Sequence, residues 1–121
     1  MTNKSYKPLI SLAIMASGSG SNAAAIIKYF EKNKKIKISG IWTNSSKSGI
    51  ARKKLGVPIH VFEPIKDDKY LIETWTKEKA SALILAGYLK PIPKAFIEHF
   101  NKNILNIHPS LLPKFGGKGM Y

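Results

Sequence analysis

The sequence has no cysteine, only seven acidic residues and only three histidines. Without cysteine the chain can form neither disulfides nor a thiolate metal site, so the cytoplasm is the expected compartment. No apolar run reaches about 18 residues, the length that a membrane span needs, and the first residues do not have the pattern of a signal peptide. The 121 residues, 44% of them hydrophobic, therefore predict one soluble globular domain.

The shortage of acidic residues leaves a formal net charge of +13, a balance that a nucleic-acid-binding module would also show. The lysines are scattered along the chain and cluster only at residues 32–35 and 52–54. Aromatic residues do not alternate with these clusters in a pattern that would stack bases. We therefore interpret most of the charge as solvated surface that attracts anionic substrates, and a basic nucleic-acid-binding module is the alternative.

Strand and helix patterns alternate along the chain. Apolar segments indicate strands near residues 9–16, 36–43, 58–62, 82–86 and 103–108, and amphipathic segments indicate helices near 21–33, 48–55, 67–80 and 93–100. This alternation predicts an α/β protein with a Rossmann-like, open and mainly parallel sheet and helices on both faces. In such sheets ligands bind outside the carboxyl ends of the strands. Three loops stand out there, in chain order "SGSGSN", "AGYLKPIP" and "NIHPSLLPKFGGKG".

The first loop, "SGSGSN" at residues 17–22, joins an apolar strand directly to an apolar helix. A tight glycine turn before a helix N-terminus gathers free backbone N–H groups into a cradle for an anion such as phosphate. Gly18, Gly20 and Ala23 also fit the dinucleotide fingerprint, but the next strand ends in "IWTNSS", without the acidic residue that would hold a ribose. The turn therefore predicts a nucleotide monophosphate rather than NAD. A flexible linker is disfavoured because no spacer flanks the loop.

The third loop begins within "ILNIHPS", a segment in which Asn106 and His108 alternate with apolar residues. A strand through this segment would direct both side chains to one face, and Pro109 favours extended backbone at His108. An amide can donate a hydrogen bond to a developing oxyanion, and an imidazole can transfer a proton near neutral pH. Catalysis by this pair is one interpretation, and a structural pair near a turn is the other.

Together "SGSGSN", "LAGYLKPIP" and "NIHPSLLPKF" resemble, in their order and spacing, the phosphoribosylglycinamide formyltransferases, folate-dependent enzymes of purine synthesis. The resemblance extends from about residue 9 to residue 118. The last motif is shared with formyltransferases that act on other amines, such as methionyl-tRNA, and these are the alternative within enzymes. The glycine loop that ends in Ser-Asn is typical of the glycinamide ribonucleotide branch.

The resemblance implies a binding role for two of the loops. Three residues of the first loop would hold the phosphate of glycinamide ribonucleotide: Gly20, Ser21 and Asn22. Four residues of the second loop would contact, through their backbone, the pterin of the co-substrate 10-formyltetrahydrofolate: Leu89, Lys90, Pro91 and Ile92. The implied partners are thus two small molecules, with neither a nucleic acid nor a membrane among them.

The resemblance also implies the chemistry of the third loop. Asn106 would bind the formyl oxygen of the folate, and His108 would act as the acid that assists the tetrahedral intermediate. The amine of the substrate attacks the formyl carbon directly, so no metal is implied. The sharp turn beside His108 further predicts a cis peptide bond between Leu112 and Pro113.

Two features depart from the family pattern. The family commonly has an arginine near the start of the helix after the third strand and another in the second loop. Here the second loop has Lys90, and Lys66 in "PIKDDKY" is a candidate for the other position. The family's later strands, and an aspartate that orients the histidine, would follow Tyr121. Residues 1–121 would thus form the N-terminal, nucleotide-binding part of one formyltransferase domain, truncated at its C-terminus and inactive alone.

Four large side chains lie outside these motifs. His60 falls within a predicted strand and His99 near a predicted helix end, and neither has polar neighbours in a motif. Trp42 and Trp75 occupy apolar positions of a strand and a helix. We interpret all four as structural residues.

Overall fold

The computed structural model describes residues 10–44, 49–52 and 54–107. The strands are β1 (Ile10–Ala16), β2 (Ile36–Thr43), β3 (Ile59–Val61), β4 (Ala82–Ala86) and β5 (Ile104–Asn106). The helices are α1 (Ser21–Phe30), α2 (Asp68–Lys77) and α3 (Lys94–His99), and a 3₁₀ turn spans Gly49–Arg52. The alternation predicted from the sequence is confirmed, with β2 and β4 at their predicted bounds.

The sheet is entirely parallel, and the order of its strands is β3-β2-β1-β4-β5. From β1 the chain moves outward through β2 and β3, and it then crosses to the other side of β1 to form β4. The strand order therefore reverses between β1 and β4. In sheets of this kind, ligands bind at the carboxyl ends of the strands beside that reversal. The predicted Rossmann-like fold is confirmed.

The two faces of the sheet are buried under different kinds of side chain. The face under α1 and the 3₁₀ turn, here the aliphatic face, has these buried residues: Leu12, Ile14, Ala16, Ala23, Ile26, Ile41, Ile50, Ile84 and Ala86. The face under α2 and α3, here the aromatic face, has these: Ala13, Met15, Trp42, Phe62, Leu71, Trp75, Leu83, Phe96 and Phe100. Helices thus cover both faces, as predicted.

Trp75 lies at the centre of the aromatic face. Its ring contacts Trp42 and Phe96 edge to face, with centroids 5.6 and 5.0 Å apart, and Phe100 at 5.2 Å. Trp42 and Trp75 are 1% and 0% exposed. Edge-to-face pairs of this kind add to the stabilisation that burial alone provides. Both tryptophans therefore have the structural role that was expected of them.

Ser39 is an extra residue in β2. Ile38 pairs with Leu12 of β1, but the next pair joins Gly40 to Ala13, so Ser39 forms a β-bulge. The Ser39 side chain is buried, and its hydroxyl donates a hydrogen bond to the Leu12 carbonyl at 3.2 Å. The bulge thereby keeps both a hydroxyl and a backbone carbonyl satisfied inside the sheet.

The bulge reverses the alternation of side chains along β2. Ile36 and Ile38 precede it and Ile41 follows it, yet all three pack on the aliphatic face. Trp42 consequently packs on the aromatic face. Gly40 leaves room for the indole, since a Cβ there would lie 3.1 Å from Trp42 Cη2.

Two negative findings concern the described residues. Within residues 10–44, 49–52 and 54–107, no helix is both long enough and apolar enough to cross a membrane. In the same ranges, histidines and acidic residues form no group of three that could ligate a metal ion.

Candidate functional site

The glycine turn (residues 17–20) connects β1 to α1. Gly18 and Gly20 have φ angles of 70° and 80°, in the left-handed region that glycine adopts without steric cost. The Gly20 carbonyl accepts a hydrogen bond from Ala24 N at 2.9 Å, which starts α1 directly at the turn. Because the first turn of α1 has no acidic side chain, its N–H groups and the helix dipole favour an anion here.

The 3₁₀ turn supports the glycine turn. Ile50 N donates a hydrogen bond to the Gly18 carbonyl at 3.1 Å. The buried Ile50 side chain lies against Gly20 so closely that a Cβ at Gly20 would be 2.7 Å from Ile50 Cβ. Position 20 therefore accepts only glycine, for its φ angle and for its lack of a side chain. The sequence indicated the short helix. It did not indicate the contact between Ile50 and the glycine turn, because that contact joins segments that are far apart in the chain.

Ser21 and Asn22 begin α1 beside the glycine turn. Ser21 is exposed, and its N–H donates to Ser19 Oγ at 3.4 Å. The Asn22 side chain extends toward the segment after β4, where a Cβ on Gly87 would lie 3.2 Å from Asn22 Nδ2. The structure thus brings together two of the loops that the sequence singled out.

The β4 loop (residues 87–93) begins with Gly87, whose φ is 73°. The loop forms one wall of a cleft of about 670 Å³. Lys90, Pro91 and Ile92 line this cleft, and Ile92 also packs on the aromatic face. Leu89, in contrast, is 83% exposed. Three of the four predicted pterin-binding residues therefore line a cleft, and the fourth, Leu89, points its side chain to solvent.

Residues 64–68, between β3 and α2, contribute to the opposite wall of the cleft. Ile65 on this wall is 87% exposed and has a φ of 73°, which is rare for a β-branched residue. The Asp68 carboxylate accepts a hydrogen bond from Ile65 N at 2.9 Å and holds it there. Lys66 does not line the cleft, and its ammonium lies 3.8 Å from the Glu63 carboxylate in an exposed pair.

Tyr88 supplies a polar group inside the cleft. Burial, reinforced by the Asp68 carboxylate, raises the pKa of Tyr88 from 10.0 to about 12. A phenol is neutral at physiological pH even at its ordinary pKa, and the raised pKa of Tyr88 extends the neutral, proton-donating form to higher pH. With Lys90 it gives a mostly apolar cleft a neutral donor and a cation. Tyr88 stands within "LAGYLKPIP", but the sequence analysis assigned it no role.

Asn106 ends β5, at the edge of the sheet next to β4. It pairs with Leu85 and is exposed. Ile104, two residues earlier, packs on the aromatic face, so the alternation of the strand places Asn106 on that face too. His108 and the Leu112–Pro113 bond lie outside the described residues. The structure thus places Asn106 beside β4, the strand that leads into the β4 loop.

Ser17 connects the ends of three strands. Its hydroxyl donates a hydrogen bond to Asn44 Oδ1 at 2.9 Å and accepts one from Leu89 N at 3.3 Å. Ser17 follows β1, Asn44 follows β2, and Leu89 lies in the β4 loop. The sequence analysis assigned no role to Ser17 or Asn44, although a polar residue directly after each of two adjacent strands was a visible signal.

The two described histidines lie apart from these loops. His60 stacks on Trp42 with centroids 4.9 Å apart, and within the described residues its buried Nε2 has no hydrogen-bond partner. His99 contacts the ring of Phe100 edge to face at 4.8 Å. Both positions agree with the structural interpretation.

A parallel sheet with this strand order, a glycine turn at a helix N-terminus and a cleft beside the reversal define a Rossmann-like type of α/β domain. Comparison with known proteins narrows that class. The family model described as formyl transferase matches residues 10–121, and the chain therefore belongs to the formyl transferase family.

Two curated relatives share a name. The chloroplastic phosphoribosylglycinamide formyltransferase of Vigna unguiculata is 41% identical in a match that covers 91% of this chain and 38% of the relative. The Escherichia coli phosphoribosylglycinamide formyltransferase is 32% identical in a match that covers 89% of this chain and 55% of the relative. The crystal structure of glycinamide ribonucleotide transformylase 1 from Geobacillus kaustophilus matches with a TM-score of 0.73 at 28% identity. This match covers 93% of the present chain and 64% of the chain in that structure. The chain spans 38% to 55% of the length of these two curated relatives.

Proposed function

We propose that the protein transfers a formyl group from 10-formyltetrahydrofolate to the amine of glycinamide ribonucleotide, as a step of purine biosynthesis. The observation that carries the proposal is the glycine turn at the N-terminus of α1, in a chain that belongs to the formyl transferase family. The names of the similar proteins support the choice of substrate. Residues 1–121 would be the N-terminal, nucleotide-binding part of one formyltransferase domain, acting on small molecules in the cytoplasm.

The phosphate of glycinamide ribonucleotide is assigned to Gly20, Ser21 and Asn22. Backbone N–H groups at a helix N-terminus bind a phosphate with both hydrogen bonds and the helix dipole. The absence of a side chain at Gly20 makes room for Ile50, which packs behind the turn. Ile50 holds the turn in that shape through its hydrogen bond to Gly18.

The folate is assigned to the β4 loop, through the backbone of Leu89, Lys90, Pro91 and Ile92. The adjacent cleft has apolar walls, which suit a flat ring system, and Tyr88 offers a neutral hydroxyl donor there. Lys90 lines the cleft and takes the place of the arginine that the family has in this loop. Lys66, the candidate for the other arginine, does not line the cleft.

The transfer step is assigned to Asn106 and His108. The amine nitrogen attacks the formyl carbon, a C–N bond forms, and the negative charge that develops on the formyl oxygen accepts a hydrogen bond from the Asn106 amide. His108 donates a proton to the folate nitrogen as the tetrahedral intermediate collapses, and the bond from the formyl carbon to that nitrogen breaks. The attacking nitrogen loses a proton to water, tetrahydrofolate leaves as a neutral amine, and His108 regains a proton from water. This route uses no metal and no covalent enzyme intermediate.

The test compares alanine variants of the full-length protein in an assay of formyl transfer to glycinamide ribonucleotide. Loss of an oxyanion donor costs about 10²–10³ in turnover, so Asn106→Ala is expected to lose that much while its unfolding curve stays close to wild type. His108→Ala is expected to lose turnover as well. Asn103→Ala, an exposed asparagine just before β5, is the matched control.

Other outcomes would redirect the proposal. Near-normal turnover in both Asn106→Ala and His108→Ala would overturn the assignment of these residues. Formylation of methionyl-tRNA in place of glycinamide ribonucleotide would move the protein to another branch of the family. Binding of RNA or DNA with a steep salt dependence, together with no binding of glycinamide ribonucleotide, would favour the basic nucleic-acid-binding module.

A further inference from the structure

We propose that Ser17 is a positioning residue that fixes the backbone of Leu89 and so places the β4 loop relative to the glycine turn. The inference rests on the proposed function, because it assigns the β4 loop to the formyl donor. Ser17 acts through Leu89 and needs no contact with either substrate.

The direction of the two hydrogen bonds of Ser17 is determined by chemistry. Asn44 Oδ1 can only accept, so the single hydroxyl proton of Ser17 points to it across 2.9 Å. The oxygen lone pairs are then free to accept the Leu89 N–H at 3.3 Å. Asn44 therefore orients the hydroxyl, and the hydroxyl holds the loop.

The backbone of Leu89 depends on this contact because the β4 loop makes few other backbone hydrogen bonds. Leu89 is 83% exposed, so its side chain does not anchor the loop in the core. Pro91 and Pro93 have no N–H to donate. In the described part of the chain, residues 87–92 take part in no backbone-to-backbone hydrogen bond outside the strands and helices.

The contact also crosses between the two faces of the sheet. The glycine turn leads into α1 on the aliphatic face, whereas Tyr88 and Ile92 of the β4 loop pack on the aromatic face. Ser17 joins the two at the reversal of the strand order, close to where Asn22 approaches Gly87. Loss of the hydroxyl should therefore disturb the site of the formyl donor and leave the phosphate site, which Ile50 supports separately, intact.

The experiment measures three quantities in the full-length protein: the KM for 10-formyltetrahydrofolate, the KM for glycinamide ribonucleotide, and the hydrogen-exchange rate of the Leu89 amide. In Ser17→Ala we expect the donor KM to rise about 3–10-fold, the range that one net hydrogen bond supplies. The Leu89 amide should exchange faster, and the KM for the ribonucleotide should stay within about 2-fold, since no phosphate contact is lost.

Three further variants sharpen the test. Ser17→Thr retains the hydroxyl and should restore both the donor KM and the slow exchange. Asn44→Ala removes the group that orients the hydroxyl, so it should reproduce the effect of Ser17→Ala in weaker form, and it replaces that variant if Ser17→Ala does not fold. Ser81→Ala makes the same change at an exposed serine before β4, at the opposite end of the sheet, and should change nothing.

The possible failures differ from one another. An unchanged donor KM and unchanged Leu89 exchange in Ser17→Ala, with wild-type transfer intact, would overturn the positioning role alone. An equal rise in both KM values would show a general structural role and would also overturn it. Absence of formyl transfer in the wild-type protein would overturn the proposed function and with it this inference, even if Leu89 exchange responded as expected.

Discussion

On the aliphatic face the N-terminal end of α1 meets the sheet through small residues, whereas on the aromatic face rings fill the space between the sheet and its helices. Ala16 and Ala23 are both fully buried on the first face, and Gly20 begins the helix there. On the second face Trp42 and Trp75 are the largest buried side chains. The glycine turn is therefore positioned by the close approach of α1 to the sheet, and the β4 loop is positioned by contact with large aromatic side chains.

This difference predicts opposite sensitivities. Close packing of small residues leaves no room for added atoms, so enlargement is the damaging change on the aliphatic face. A face filled by large rings loses most when a ring is removed, because neighbouring side chains do not collapse into the space. Two sets of substitutions test this contrast, and a third tests the surroundings of Tyr88 on the aromatic face.

Trp75→Ala should have the largest effect. It removes a fully buried ring with three aromatic neighbours, and truncations of this kind cost about 3–5 kcal/mol of unfolding free energy. Urea denaturation measures the loss. Tyr29→Ala, at a tyrosine that is 43% exposed on α1, is the control and should lose far less. Equal losses of unfolding free energy in the two variants would show that the cluster of rings does not stabilise the aromatic face.

Gly20→Ala should be more destabilising than Gly18→Ala. Both place a side chain at a positive φ, which costs of the order of 1–3 kcal/mol. At Gly18 a Cβ meets nothing within 4 Å, whereas at Gly20 it overlaps Ile50 and adds about 1–3 kcal/mol of overpacking. Denaturation of both variants measures this difference.

Ile50→Ala supplies the cross-check for the glycine pair. With the isoleucine truncated, the gap in stability between Gly20→Ala and Gly18→Ala should shrink without closing, because Cγ1 and Cδ1 are removed while the Ile50 Cβ stays 2.7 Å from the added Cβ. A gap of unchanged size in that background would mean that the outer atoms of Ile50 do not restrict position 20.

Tyr88→Phe should have the smallest effect, and only at high pH. The folded state raises the pKa of Tyr88 from 10.0 to about 12, so the unfolded chain ionises first. This group's contribution to stability is complete below pH 10.0 and is lost as the pH rises toward about 12. Tyr88→Phe should therefore lose less stability than wild type over this range.

Denaturation at a series of alkaline pH values measures the Tyr88 effect. Tyr70→Phe, at a tyrosine that is 64% exposed on α2, is the matched control and should follow the wild-type curve. Parallel curves of stability against pH for wild type and Tyr88→Phe would contradict the raised pKa of Tyr88.

The sequence predicted the elements well and their ends less well. Apolar runs define β2 and β4 because both strands are buried and closed by polar or glycine residues. Helix α1 ends at Phe30 rather than near residue 33, where Asn33 turns the chain by accepting the Lys35 N–H at 2.8 Å. Helix α2 ends at Lys77, and the left-handed Lys79 follows it at a φ of 56°. Periodicity does not encode such local polar contacts.

The candidate site divides in the same way. The glycine turn was predictable because glycine spacing and flanking segments are local features. The contact between Ser17 and Leu89 joins residues 72 positions apart, and Ile50 reaches the glycine turn across a strand and a helix. Such contacts follow from the strand order, which the alternation of elements alone does not specify. The roles assigned to Asn106 and His108 stay predictions.

The bulge at Ser39 gives β2 a tolerance for change in length that residue identities do not show. If Ser39 were deleted, the residues on either side of it would keep their partners in β1. Trp42 would therefore stay on the aromatic face and keep its stacking contact with His60. A second deletion in the strand would have no extra residue to absorb it and would move every later side chain to the opposite face. When relatives are aligned, a gap of one residue in β2 is therefore compatible with the same core, whereas a gap of two residues is not.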